Sequence, residues 1–83
     1  MSGSGGNDSS LSRCVRQSLE EYFQHLDGEA PHEVHRMVTD AVERPMLEVV
    51  MRHARGNQTL AAQILGISRN TLHKKLVQHG LEG

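Results

Sequence analysis

Eighty-three residues with no tryptophan, one tyrosine and one phenylalanine make a single small domain, at a size where one chain's core is marginal and oligomerisation is expected to add stability. The formal net charge of −1 conceals an asymmetry: residues 13–50 carry four Lys/Arg against eight Asp/Glu, and residues 51–83 carry five against one. A lone cysteine, Cys14, excludes an intramolecular disulfide scaffold; the absence of any apolar run near the ~18–20 residues of a membrane span excludes a helical anchor, and MSGSGGNDSS lacks the basic and apolar regions of a signal peptide.

Residues 1–10 are Gly, Ser, Asn and Asp after Met1, a composition that buries nothing and predicts a disordered tail. Residues 11–26 then predict an amphipathic helix, because Leu11, Val15, Leu19, Tyr22, Phe23 and Leu26 recur at three and four. Cys14 falls beside that stripe as a small hydrophobe. Asp27-Gly28 ends the helix as a turn, and Pro31 suits the first turn of the next, where no backbone donor is needed.

A second, longer helix is expected over residues 32–54. Val34, Met37, Val38, Ala41 and Val42 keep the spacing, after which Met46, Leu47, Val49, Val50, Met51 and Ala54 widen the apolar face. A helix apolar on several sides is buried on several sides. Pro45 removes a hydrogen bond and predicts a kink, so that one end can build a dimer core with residues 11–26 while the other supports the carboxy-terminal segment.

Residues 56–80, GNQTLAAQILGISRNTLHKKLVQHG, carry the densest chemical content. Gly56 ends one segment and Asn57 caps the next. Ala61 and Ala62 are small enough for a close helix crossing, Gly66 supplies a positive φ for a sharp turn, and Ile67 is an apolar plug. Ser68 caps a last helix whose Leu72 and Leu76 form a buried stripe. Arg69, Asn70 and His73 fall on the other side, with Thr71, Lys74 and Lys75 on the same helix. This is the layout of a helix-turn-helix, whose second helix enters the DNA major groove, where arginine reads guanine and asparagine reads adenine. The basic segment is the matching electrostatic footprint for phosphate, and the acidic portion is expected to face solvent or a partner. An anion favours the charged form of a nearby histidine, so His53, His73 and His79 are expected to strengthen DNA binding at lower pH.

Other chemistry is poorly supported. His32 and His35, with His25 near, lack the four-ligand spacing of a structural metal site. No Ser, Thr or Cys has a visible base, and the amino-terminal SGSGG lacks the strand and Lys-Ser/Thr of a phosphate loop. No enzyme activity, cofactor or small-molecule ligand is expected.

ARGNQTLAAQILGISRNTLHKKL, preceded by ERPMLEVVM, resembles the Fis family of bacterial nucleoid proteins, as does SLEEYFQHLDG in the first helix. The resemblance covers about residues 11–81. It implies an all-α homodimer of four helices per subunit. The first two helices, residues 11–54, would form an intertwined core through Val15, Leu19, Tyr22, Phe23, Leu26, Val34, Met37, Val38, Ala41 and Val42. Residues 55–83 would form the helix-turn-helix module. It also implies recognition helices closer together than one DNA turn, so that the DNA bends and is read largely through its shape. Arg69 resembles the guanine reader; Asn57, Thr59, Thr71, Lys74 and Lys75 resemble phosphate partners; Ser68, Asn70 and His73 complete the expected contact set. The implied role is a nucleoid-associated transcription regulator in the bacterial cytoplasm, with RNA polymerase as a further candidate partner.

Departures from the family pattern are specific. Leu60, Val77 and Gln78 stand where better-known members carry basic residues; His73 replaces an arginine, Ser68 an asparagine and Asn70 a glycine. Fewer fixed charges are expected to weaken binding and flatten its salt dependence. The short polar amino-terminal arm predicts no stimulation of a DNA invertase. SRNTLHKKL also resembles the DNA-binding domain of NtrC-type activators, an alternative disfavoured by the starting methionine and the absence of ATPase and receiver domains. A helical protein-interaction module is the third reading.

Overall fold

The computed structural model describes residues 9–82, and among these every regular element is helical: α1 Ser10–Gln24, α2 Val34–His53, α3 Gln58–Leu65 and α4 Arg69–Gln78. Residues 1–8 of the expected tail lie outside the described residues. Ser9 and Ser10 do not behave as tail: Ser9 caps α1, its hydroxyl accepting the Ser12 N–H at 3.0 Å, and Ser10 opens the helix. A serine cap satisfies an otherwise orphaned donor and so extends the helix beyond its first apolar residue.

α1 ends two residues before the predicted limit. The His25 N–H donates to the Glu21 and Tyr22 carbonyls, and Asp27 and Gly28 then take φ of 54° and 89°. α2 begins at Val34, so Pro31 and His32 precede the helix instead of forming its first turn. The reason is local: Glu33 has a left-handed φ of 54°, which separates the proline from the helical backbone, while its carbonyl accepts the Met37 N–H at 3.0 Å. α2 is one helix through Pro45. A left-handed pair, Arg55 and Gly56, closes it, with the Gly56 N–H reaching the Met51 carbonyl at 3.0 Å.

Two compact units divide between Val38 and Thr39, within α2. The first contains α1 and the opening turn of α2. None of its described residues is buried, although α1 carries a regular apolar stripe. Leu11 is 60% exposed and Phe23 49%, and the Tyr22 and Phe23 rings meet edge-on at a centroid distance of 5.4 Å. The second unit holds the core: Leu47 and Ala54 from α2 and its end, Ala61 and Ala62 from α3, and Leu72 and Leu76 from α4. Val50, Met51, Leu65, Ile67 and Leu81 pack around them. The carboxy-terminal part of α2 thus belongs to the same compact body as α3 and α4.

Candidate nucleic-acid interface

The geometry of α3 and α4 follows from four short-range devices. Asn57 Oδ1 accepts the Leu60 N–H at 3.1 Å and starts α3. Ala61 and Ala62, fully or almost fully buried, let α4 approach closely. Gly66, at φ 77° and ψ 28°, ends α3, and the Ile67 N–H reaches back to the Ala62 carbonyl at 3.1 Å. Ser68 then starts α4: its hydroxyl accepts the Thr71 N–H at 3.1 Å and donates to Thr71 Oγ1 at 2.9 Å.

Burial of Leu72 and Leu76 orients α4. The opposite face, with Asn70, His73, Lys74 and Val77, is exposed, and Arg69 is exposed at the first helical position. The outward face of α3 carries Thr59, Leu60, Gln63 and Ile64. Asn57, Thr59, Arg69, Asn70, Thr71, His73 and Lys74 are therefore all exposed on one helix-turn-helix. Ser68 is exposed too, but its hydroxyl is engaged in capping. Because the Thr71 hydroxyl accepts from Ser68, its own proton is left to donate elsewhere, and Asn57 keeps its amide N–H groups while its oxygen caps α3.

Lys75 and His79 are placed differently from the other expected residues. Lys75 Nζ lies 2.6 Å from Glu43 Oε2, and His79 Nε2 lies 2.9 Å from Glu43 Oε1. Glu43 is buried, at 7% exposure. The Lys75 hydrogen bond first, and the His79 hydrogen bond second, hold its carboxyl below the ordinary carboxylate value against the opposing effect of burial. Two expectations change here. His79 is turned inward, which withdraws it from the histidines expected to meet phosphate; His53 and His73 remain exposed. The acidic portion does not face only solvent or a partner, since Glu43 packs into the basic module. Its signal in the sequence is position: Glu43 stands four residues before Leu47, which puts it on the stripe that Leu47 and Ala54 carry into the core.

Asp40 joins this cluster. With Glu43 and His79 it presents donor atoms within 4.8 Å of one another. The Lys75 ammonium already supplies positive charge to Glu43, and Gln78 Nε2 donates to Asp40 Oδ1 at 3.4 Å, so hydrogen bonding accounts for the group. His25, His32 and His35, the histidines weighed for metal from the sequence, are exposed.

Comparison with known proteins agrees with this architecture in both units. Residues 39–79 match the family model described as bacterial regulatory protein, Fis family, and residues 2–31 match the DNA-binding protein Fis N-terminal domain. The chain is 59% identical over 71 residues to a Fis-like DNA-binding protein of Ralstonia nicotianae, covering 86% of this chain and 92% of the relative. A Fis-like DNA-binding protein of Neisseria meningitidis is 52% identical, with 86% and 90% covered. The DNA-binding protein Fis of Glaesserella parasuis is 47% identical over 74 residues, with 89% and 76% covered. The match therefore extends well beyond the carboxy-terminal module that NtrC-type activators share. With its two halves matching the two family models and its length spanning most of each relative, the chain belongs to the Fis family of bacterial regulatory proteins.

Proposed function

We propose that this protein binds and bends duplex DNA as a symmetric homodimer and acts in the nucleoid as a transcription regulator. The observation that carries the reading is the exposed polar face of α4, with Arg69, Asn70, His73 and Lys74 opposite buried Leu72 and Leu76, directly after the Gly66 turn. The names of the relatives, which describe DNA-binding proteins, support it. Arg69 and Asn70 are the base-edge readers; Asn57, Thr59, Thr71 and Lys74 position the phosphate backbone, and His73 adds charge at lower pH. Ser68 shapes the helix start.

Dimerisation rests on α1. A fifteen-residue amphipathic helix without a buried residue needs an apolar partner, and Leu19, Tyr22, Phe23, Val34, Met37 and Val38 supply the surface for a second copy. A kink in α2 at Pro45, which has no N–H to give the Ala41 carbonyl, would aim the two modules at one face of the duplex.

Gel-shift binding to circularly permuted duplexes with an A/T-rich centre tests the reading. A complex whose mobility depends on the position of the site is expected. A complex of constant mobility removes bending. No complex at low salt removes DNA and leaves a protein-interaction module, for which exposed Leu60, Ile64 and Val77 provide the apolar contacts.

A further inference from the structure

Glu43 is a buried carboxylate that the exposed binding face does not use. Both of its oxygens are engaged from α4, one by Lys75 and one by His79. Beside it, Gln78 Nε2 donates to Asp40 Oδ1, and an Arg44 guanidinium N–H donates to the His79 carbonyl at 2.5 Å. One turn of α2, residues 40–44, therefore holds the last turn of α4, residues 75–79, at four points. The two kinds of contact constrain α4 differently. Leu72 and Leu76 fix how deeply the helix sits, but apolar burial is non-directional. The hydrogen bonds to Glu43 are directional, and they set the rotation of α4 about its own axis. Rotation decides which way Arg69, Asn70 and Lys74 point, and a productive contact constellation tolerates only about 10–20° of error.

We propose that Glu43 is a positioning residue for the recognition helix, and that Lys75 holds this helix to α2 instead of contacting phosphate. The inference rests on the DNA-binding reading above. It separates two adjacent lysines that the sequence presents as equivalent. Lys74 is exposed on the outward face, whereas the Lys75 side chain is 33% exposed with its ammonium on a carboxylate. A cation already paired inside the protein releases no counterion from DNA, so Lys75 adds nothing to the salt dependence of binding.

The test is equilibrium binding of the full chain, by fluorescence anisotropy, to an A/T-rich duplex and a random-sequence duplex of equal length over a series of salt concentrations. Lys74→Met is expected to reduce the salt slope by about 0.9, and Lys75→Met to leave it at the wild-type value. Glu43→Gln is expected to cut the preference for the A/T-rich duplex by about fivefold, the equivalent of about 1 kcal/mol. Simple loss of folded protein would instead weaken both duplexes by one factor and leave their ratio unchanged. Removing one partner of a buried pair can unfold the unit, so the Glu43→Leu, Lys75→Met double variant is measured beside the single ones. Apolar replacement of both partners retains the fold, and this variant is expected to keep the wild-type slope with the reduced preference. A slope lowered by about 0.9 in Lys75→Met, or an unchanged preference in Glu43→Gln and the double variant, overturns the inference while DNA binding stands. No binding by the wild type at low salt overturns both.

Discussion

His79 Nε2 lies 2.9 Å from Glu43 Oε1 across thirty-six residues of chain, with the two side chains only 7% and 9% exposed. The contact joins the residue that caps α4 to the middle of α2. Any change at Glu43 is therefore felt at the recognition helix, and the protonation of this carboxyl becomes a property of the whole module.

The stability of the module is expected to fall in acid through Glu43. Lys75 and His79 hold its folded-state pKa below the ordinary value. A group depressed in this way contributes stability above its unfolded pKa and loses it as pH falls through the folded one. The unfolding midpoint, followed by circular dichroism, should decline from about pH 5 toward about pH 3. Glu43→Gln should cost about 1–3 kcal/mol at neutral pH and show a shallower decline. Parallel acid limbs in the two proteins would remove Glu43 as the titrating group.

Gly66→Ala is expected to destabilise by about 1–2 kcal/mol, because an L side chain resists the left-handed conformation. A Cβ built there meets nothing within 4 Å, so the cost is torsional and not steric. Gly66→Asn should lose less, since asparagine tolerates this region better. Urea midpoints for the three proteins decide it; equal losses for Ala and Asn would contradict a torsional origin.

Arg69→Ala and Lys74→Ala should separate reading from positioning. Losing Arg69 is expected to cost about 1–3 kcal/mol at a preferred duplex and to relax sequence preference. Losing Lys74 should weaken all duplexes alike and reduce the salt slope. Competition binding against random DNA distinguishes them, and identical behaviour would refute the division of roles.

A paired Leu19→Ser, Phe23→Ser substitution should dissociate the dimer. Phe23 is 49% exposed and α1 buries nothing within one chain. Sedimentation velocity should place the wild type at twice the 9.2 kDa chain mass and the variant at the monomer mass. The melting temperature should rise with protein concentration only in the wild type. A monomeric wild type would leave the apolar stripe of α1 without its proposed partner.

The number and type of helices, the turn between α3 and α4, and the residues that start these two helices are all legible in the order of the amino acids. Asn57, Gly66 and Ser68 can be read there because a cap or a turn depends on atoms within about four residues of itself. Leu72 and Leu76 can be read because helical periodicity alone assigns their face. Backbone choices without a periodic signature, such as the left-handed Glu33 that delays α2 and the Ser9 cap that advances α1, escape that reading. Packing of α4 against α2 is what takes Glu43 from the acidic surface into the core, with Lys75 and His79 drawn onto it. Sequence distance is the cause. A carboxylate is buried only when donors reach it, and those donors lie 32 and 36 residues away, where no local propensity records them. Two neighbouring lysines of identical local chemistry therefore part company only when the tertiary contact forms.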